Sequence, residues 1–338
     1  MDHVAIDLGS RRSQVCVRSS DGRIVEEKRL DTARLKAFLE KKEKSRVIVE
    51  TCAEAFGLAD VALELGHEAR VVPATLVRKL GVGARRTKTD QRDAQVLSEV
   101  SCRIDLPSVH IPSEVSRRRK TLCGMREALV GTRTKLINTV RGWLRGQGVH
   151  LRTGRASTFG DRVRAMRGNG LPAHVARQLT AIDAMTVEIA EADRDIAQEA
   201  EQDEVCRRLI TVPGIGAVTA IRFAAALDGV DRFADAHKVE SYLGLVPGEN
   251  SSSEHQYRLS ITKAGPAGMR WALVQAAWSL QRCKKPEAMP LKAWAQRIEQ
   301  RRGKNIATVA LARKLAGILY AIWRDGSVYD GALSAQKI

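Results

Sequence analysis

The first hundred residues alternate in a pattern that few folds accept. Val4-Ala5-Ile6-Asp7-Leu8-Gly9 is a short apolar run ending in an acid. Gln14 to Arg18 alternates like a second strand, and Asp21-Gly22 supplies the positive φ of a hairpin turn. Ile24 to Leu30 returns as a third strand. Residues 32–44 predict an amphipathic helix with Leu35, Phe38 and Leu39 on one side. Arg46 to Glu50 is a buried-type strand with an acid at its tip. A helix over about 54–66, a fifth strand from Glu68 to Pro73, a basic loop from Arg78 to Lys88 and another helix follow. The order is β-β-β-α-β-α-β-α. Short apolar strands between helices imply a sheet covered on both faces.

That order is the order of an RNase H-like domain, and it places acids in telling positions. Asp7 ends the first strand and Glu50 the fourth. Strand ends in α/β sheets are where ligands gather. In Lys88-Thr89-Asp90-Gln91-Arg92-Asp93-Ala94, Asp90 and Asp93 are spaced i, i+3 at the start of a helical run, on one face. Acids in a first turn also suit the helix dipole, and a strand-end acid is commonly a solvated loop residue. Four such acids in one domain point instead to a hard divalent cation.

Charge bears on partners rather than on fold. The chain of 338 residues has a net charge of +17, unevenly placed. Residues 112–170 hold fourteen Lys and Arg against three acids, whereas residues 183–205 hold nine acids and one Arg. The basic segment reads as a phosphate-binding surface for duplex DNA or folded RNA. Arg117, Arg118, Arg119 and Lys120 open it. The six cysteines form no CxxC pair, so neither zinc nor a disulfide framework is indicated and a reducing cytoplasm is the expected setting. No run of about 18 apolar residues suggests a membrane span.

Ser113 to Trp143 predicts one long basic helix, and residues 146–170 an irregular, Gly- and Arg-rich stretch. From Pro172 a further helix carries Ile182, Met185, Ile189, Ala192 and Ile196 at heptad a and d positions, which reads as a short coiled coil or an antiparallel helical hairpin. Val212-Pro213-Gly214-Ile215-Gly216 enters a small-residue helix like a helix-hairpin-helix turn, able to hold a phosphate or simply to turn the chain. Lys263 and Arg270 suit phosphate. The serine run Ser251-Ser252-Ser253 reads on residues alone as loop chemistry, because no activating His–Asp arrangement is evident. Four regions are expected: 1–112, a basic helical and coiled-coil region 113–205, a mostly helical region 206–325, and a tail 326–338. The fold class is α/β at the N-terminus, then all-α.

Asp7 with Gly9-Ser10, Val49-Glu50-Thr51 and Lys88 to Ala94 resemble the DEDD tetrad of the RuvC-like insertion-sequence transposases, the bridge-RNA-guided serine recombinases to which pilin-gene invertases are related. Pro213-Gly214-Ile215-Gly216, Gly244-Leu245-Val246-Pro247, Ser251-Ser252, Ile261 to Gly265 and Val274 to Trp278 resemble that family's second domain. The resemblance implies Mg²⁺, or Mn²⁺, on Asp7, Glu50, Asp90 and Asp93. It implies a serine attacking DNA phosphate to give a phosphoserine link, with Ser252 at the nucleophile position and Ser251 as the alternative. It also implies DNA and a structured guide RNA as partners, and a composite site in a dimer or tetramer. Two departures stand out: Ser253 and Leu259 occupy positions where the family has glycine. The competing expectations are a RuvC- or RNase H-like metal-dependent endonuclease whose serine is structural, and a non-catalytic nucleic-acid-binding protein.

Overall fold

The computed structural model describes residues 1–79, 90–167, 170–252 and 255–331. They divide into two compact units, Met1–Pro112 and Ser113–Ile338.

The first unit is a five-stranded sheet between helices. Its elements are β1 (His3–Asp7), β2 (Arg12–Arg18), β3 (Ile24–Asp31), α1 (Leu35–Leu39), β4 (Arg46–Glu50), α2 (Ala55–Glu64), β5 (Glu68–Val72), α3 (Ala74–Lys79) and α4 (Asp90–Arg103). The strand order is β3-β2-β1-β4-β5. β1 pairs antiparallel with β2, and β2 with β3. β1, β4 and β5 run parallel. Successive residues of a strand point to opposite faces, and the core splits accordingly. Val4, Ile6, Val47 and Val49 pack with Leu35 and Leu39 of α1 and Leu58 and Ala59 of α2. Ala5, Ile48 and Val72 pack with Val77 of α3 and Leu97 of α4 on the other face. Helix α1 is shorter than the expected 32–44, because a 3-10 turn takes residues 32–34 and the polar Glu40 to Lys44 leave nothing to bury. The basic loop expected before α4 falls largely in residues 80–89, outside the described residues.

The second unit is mostly helical. Helix α5 (Glu114–Gly146) begins at Ser113, whose Oγ accepts from the Ser116 N–H. Then come α6 (Phe159–Arg167) and α7 (Ala173–Gln202). The remainder is α8 (Glu204–Ile210), α9 (Ala217–Leu227), α10 (Ala236–Tyr242), β6 (Pro247–Ser252), β7 (His255–Ile261), α11 (Ala267–Arg282), α12 (Met289–Arg302) and α13 (Lys304–Asp325). Residues 146–170 are not wholly irregular: α6 forms because Phe159 and Val163, one turn apart, both bury completely against Val140, Leu144, Val175 and Leu179. Helices α5 and α7 run antiparallel, since Arg119 meets Asp203, Arg126 meets Asp193 and Arg133 meets Thr186. The heptad seam of α7, with Ile182, Ile189 and Ile196 buried, is therefore closed within the chain by a helical hairpin.

Helix α13 is long and apolar enough to cross a membrane by length and composition. Its apolar face, with Leu311, Leu315, Ala316 and Leu319, is buried in the core of the second unit.

Candidate functional site

Register and face bring the N-terminal acids to one end of the sheet. Ile6 of β1 pairs with Val49 of β4, so Asp7 and Glu50 follow at adjacent parallel strand ends. Alternation sets both on the face that α4 covers, together with Ala5 and Ile48. Helix α4 lies antiparallel to β1. Its Ser101 Oγ is 2.7 Å from His3 Nδ1 at the strand's start, and its Ser98 Oγ is 3.3 Å from Cys16 Sγ, which pairs with Ala5. From Ser101 back to Asp93 the helix rises about 12 Å. From His3 to Asp7 the strand runs about 13 Å. Asp93 is thus carried to the level of Asp7, and it is 9% exposed on the inner side of α4 with Ala94, Leu97 and Ser98.

Asp90 takes a different direction. Its Oδ2 lies 4.0 Å from Arg29 Nη2 on β3. Arg29 pairs with Gln14, and Gln14 with Asp7, so Asp90 stands on the rung of Asp7 but toward the sheet edge. Two strand spacings separate those rungs, about 10 Å. Among the described residues no three His, Cys, Asp or Glu side chains converge closely enough to hold a metal ion. The four acids share an end of the sheet without closing on one point, and the Arg29 contact is the visible reason for Asp90.

The serine run lies on the β6–β7 hairpin of the second unit. Ser251 pairs in register with Gln256 and Ser252 with His255. Ser253, the third candidate, lies outside the described residues. The base of this hairpin is tightly clasped. Thr262 N–H donates to Val246 O at 2.9 Å and Lys263 N–H to Gly244 O at 3.2 Å. Arg270 Nη1 donates to Leu243 O at 3.0 Å and Ala264 O at 2.8 Å. Gly265 has φ +72°, and a Cβ there would stand 2.0 Å from Tyr242 O, so only glycine fits. Gly244, at φ +69°, is equally closed off by Ala264 O at 2.2 Å. Lys263 itself adopts φ 56° and is exposed. Leu259 is exposed where the hairpin's register shifts between Pro247 and Glu249. The sequence signal for this clasp was the glycine spacing. The part Arg270 plays in it was not readable, because its partners are backbone carbonyls, which carry no side-chain signal.

Arg118 and Arg119 are spent on acids of the same chain. Arg118 Nη2 donates to Glu199 at 2.7 Å; Arg119 donates to Glu199 at 2.9 Å and to Asp203 at 2.6 Å. Arg119 is only 13% exposed. Burial would raise the Asp203 carboxyl, but the Cys206 N–H and the Arg119 guanidinium outweigh it and leave the group below the ordinary range. Glu199 is likewise depressed, burial being overcome by Arg118 and Arg119. The contrast between basic residues 112–170 and acidic residues 183–205 is thus in part a pairing of Arg118, Arg119 and Arg126 of α5 with acids at the end of α7. Lys120 is exposed, and Arg117 half-buried. At the helix-hairpin-helix-like turn, Gly214 (φ +89°) lets α11 pack close: a Cβ there would meet Ala276 O at 2.6 Å.

Comparison with known proteins assigns the class. A model of the DEDD transposases of IS110, described as Transposase, matches residues 4–147. A second, described as Transposase IS116/IS110/IS902 family, matches residues 206–291. A probable family 20 transposase of Pseudomonas aeruginosa is 30% identical over 336 residues, covering 97% of this chain and 98% of that one. The transposase for insertion sequence element IS1328 of Yersinia enterocolitica is 27% identical, covering 97% and 98%. That for IS1111A of Coxiella burnetii is 26% identical, covering 96% and 90%. The chain is a transposase, an enzyme that cuts and rejoins DNA. Within that class it belongs to the IS116/IS110/IS902 family.

Proposed function

We propose that this transposase cleaves and rejoins DNA through a serine on the β6–β7 hairpin, assisted by a divalent cation held by Asp7, Glu50, Asp90 and Asp93. The observation that carries it is the shared sheet end. Asp7 and Glu50 sit at neighbouring parallel strand ends under the face of α4, and Asp93 is nearly buried at the same level. The strand order, a three-stranded antiparallel meander extended by two parallel strands, supports an RNase H-like, RuvC-type reading of the first unit.

The donor set fits Mg²⁺ or Mn²⁺ by its chemistry, hard carboxylate oxygens. Such an ion, when bound, neutralises phosphate charge and stabilises the attacking and leaving oxygens. For Asp90 to join the set it must leave Arg29. The serine hydroxyl attacks the phosphorus, one P–O bond to the DNA chain breaks, and the departing DNA oxygen takes up a proton as a free hydroxyl. Rejoining reverses this: a DNA hydroxyl attacks the phosphoserine and returns the serine, so the bond energy is kept and no nucleotide cofactor is consumed. Ser252 is the nucleophile of choice and Ser251 the alternative. The clasp of Gly244, Gly265 and Arg270 fixes the hairpin's base so that the serine-bearing strands are presented from a rigid root.

A structured bridge RNA as guide, and a dimer or tetramer in which acids and serine of different subunits meet, belong to the same proposal. The net charge of +17 supports the nucleic-acid part. For the oligomer, the closed seam of α7 moves the expected contact away from Ile182, Ile189 and Ile196. The test is a denaturing gel of labelled target DNA. The wild type should leave a protein–DNA adduct, Ser252→Ala none, and Ser251→Ala a reduced one. Cleavage that persists in Ser252→Ala without any adduct would make the chain a metal-dependent nuclease of the RuvC kind. Complete loss of cleavage in Ser251→Ala alone would move the nucleophile to Ser251.

A further inference from the structure

A cavity of about 320 Å³ lies in the second unit between α11, α12 and the start of α13. It is at the small end of the ligand-site range, with room for one planar ring system. Trp278 of α11 gives it an aromatic wall, and Lys304 Nζ stands 5.3 Å from that ring's centroid. Arg282 and Lys292 also line it, and Glu299 is the one carboxylate in the lining. Lys292 is held in place by its bond to Cys283 O at 2.8 Å. Gln281, anchored to Thr308 Oγ1 at 2.9 Å, and the exposed Gln296 add amides that can both donate and accept. Outside the cavity Lys284, Lys285, Arg301 and Arg302 extend the positive field; all four are exposed.

Three cations line one small cavity with a single carboxylate, Glu299, in the same lining. An aromatic wall, hydrogen-bonding amides and convergent cations are together what a base with its phosphate needs. The lining from Lys292 onward lies past residue 291, where the family model ends. We propose that this cavity takes one unpaired nucleotide of a nucleic-acid strand. The base stacks on Trp278, and the flexible Lys304 moves off the ring to join Arg282 and Lys292 on the phosphate. The proposal is independent of the acids and of the serine, and it is read by binding rather than by cleavage.

The test uses the full chain and fluorescence anisotropy with hairpin oligonucleotides, in DNA and in RNA, each fully paired or carrying one bulged adenosine. The wild type should prefer the bulged form of at least one polymer by roughly tenfold, the scale of one base stacked on an aromatic ring. Trp278→Ala should erase that preference while still binding the paired hairpin. Trp278→Phe, which keeps a stacking face and guards against misfolding, should retain most of it. Arg282→Ala with Lys304→Ala should weaken the bulged form more than the paired one. Equal affinity of the wild type for bulged and paired hairpins in both polymers overturns the proposal, as does a preference unchanged in Trp278→Ala. Saturation of the cavity by free adenosine monophosphate with no bulge preference would also overturn it, since the ligand would then be a free nucleotide.

Discussion

The acids at the sheet end of the first unit and those of the α5–α7 hairpin look alike in sequence and are placed differently in the fold. In the hairpin, acids at and near the C-terminal end of α7 meet arginines of α5: Glu199 with Arg118 and Arg119, Asp203 with Arg119, Asp193 with Arg126. Opposite charges facing across a helical seam are architecture. At the sheet's end, acids of like sign are brought together by strand register and by the run of α4 along β1. Like charges placed together by the backbone cost stability unless a cation or a substrate compensates them. Alternation of sign across a packed seam marks structure, whereas acids gathered at one end of a sheet without such matching are what the proposed cation site draws on.

The largest effect expected from that contrast is on activity. Asp93→Asn should lower DNA cleavage by at least about a hundredfold, in the range of losing a transition-state-stabilising group. Its thermal midpoint should stay close to that of the wild type, because the amide keeps the shape of the side chain. A fall in midpoint that tracks the loss of cleavage would place Asp93 with the architectural charges instead. Arg119→Ala should do the reverse. It takes one partner each from Glu199 and Asp203, leaving them to Arg118 and the Cys206 N–H, at a cost of about 2 kcal/mol, measurable as a shifted urea midpoint.

The pH dependence of stability sharpens the same contrast. Glu199 and Asp203 have folded-state pKa values below their ordinary ones. Their contribution is therefore fully present above the ordinary carboxylate range, about pH 4. It is lost as pH falls through the depressed folded values. Urea midpoints should drop across that acid limb in the wild type and drop less in Arg119→Ala; parallel limbs would show that Arg119 does not hold these acids. The smallest effect expected is on DNA affinity. Lys120→Ala should reduce the slope of log affinity against log salt by about 1, and Arg118→Ala by less, because Glu199 already engages Arg118.

Much of this was legible in sequence, for identifiable reasons. Strands β1 and β4 were readable because short apolar runs closed by Asp7 and Glu50 leave little choice of element. The start of α5 was marked by Ser113, and the hairpin partner of α5 by the heptads of α7. Helix α6 escaped because two buried residues, Phe159 and Val163, lie among Gly, Arg and Asp whose polarity hides a one-turn period. The positions of the acids at strand ends and at a helix start were legible, and the Asp21-Gly22 turn announced the pairing of β2 with β3, but nothing local said that Arg29 would stand beside Asp90 at the start of α4. The basic run invited a phosphate-binding reading of every arginine in it. That Arg118 and Arg119 are matched to acids some eighty residues later appears only once α5 and α7 are packed. The cavity at Trp278 gave no motif at all, since its lining comes from three helices.

The most direct measurement is calorimetric titration of the full chain with Mn²⁺. The wild type should bind saturably, Asp93→Asn should lose the heat, and Glu199→Gln should keep it. Arg29→Ala, which frees Asp90, should bind at least as tightly as the wild type. No saturable binding in the wild type, or the same loss in Glu199→Gln as in Asp93→Asn, would contradict the assignment of the sheet-end acids to a cation.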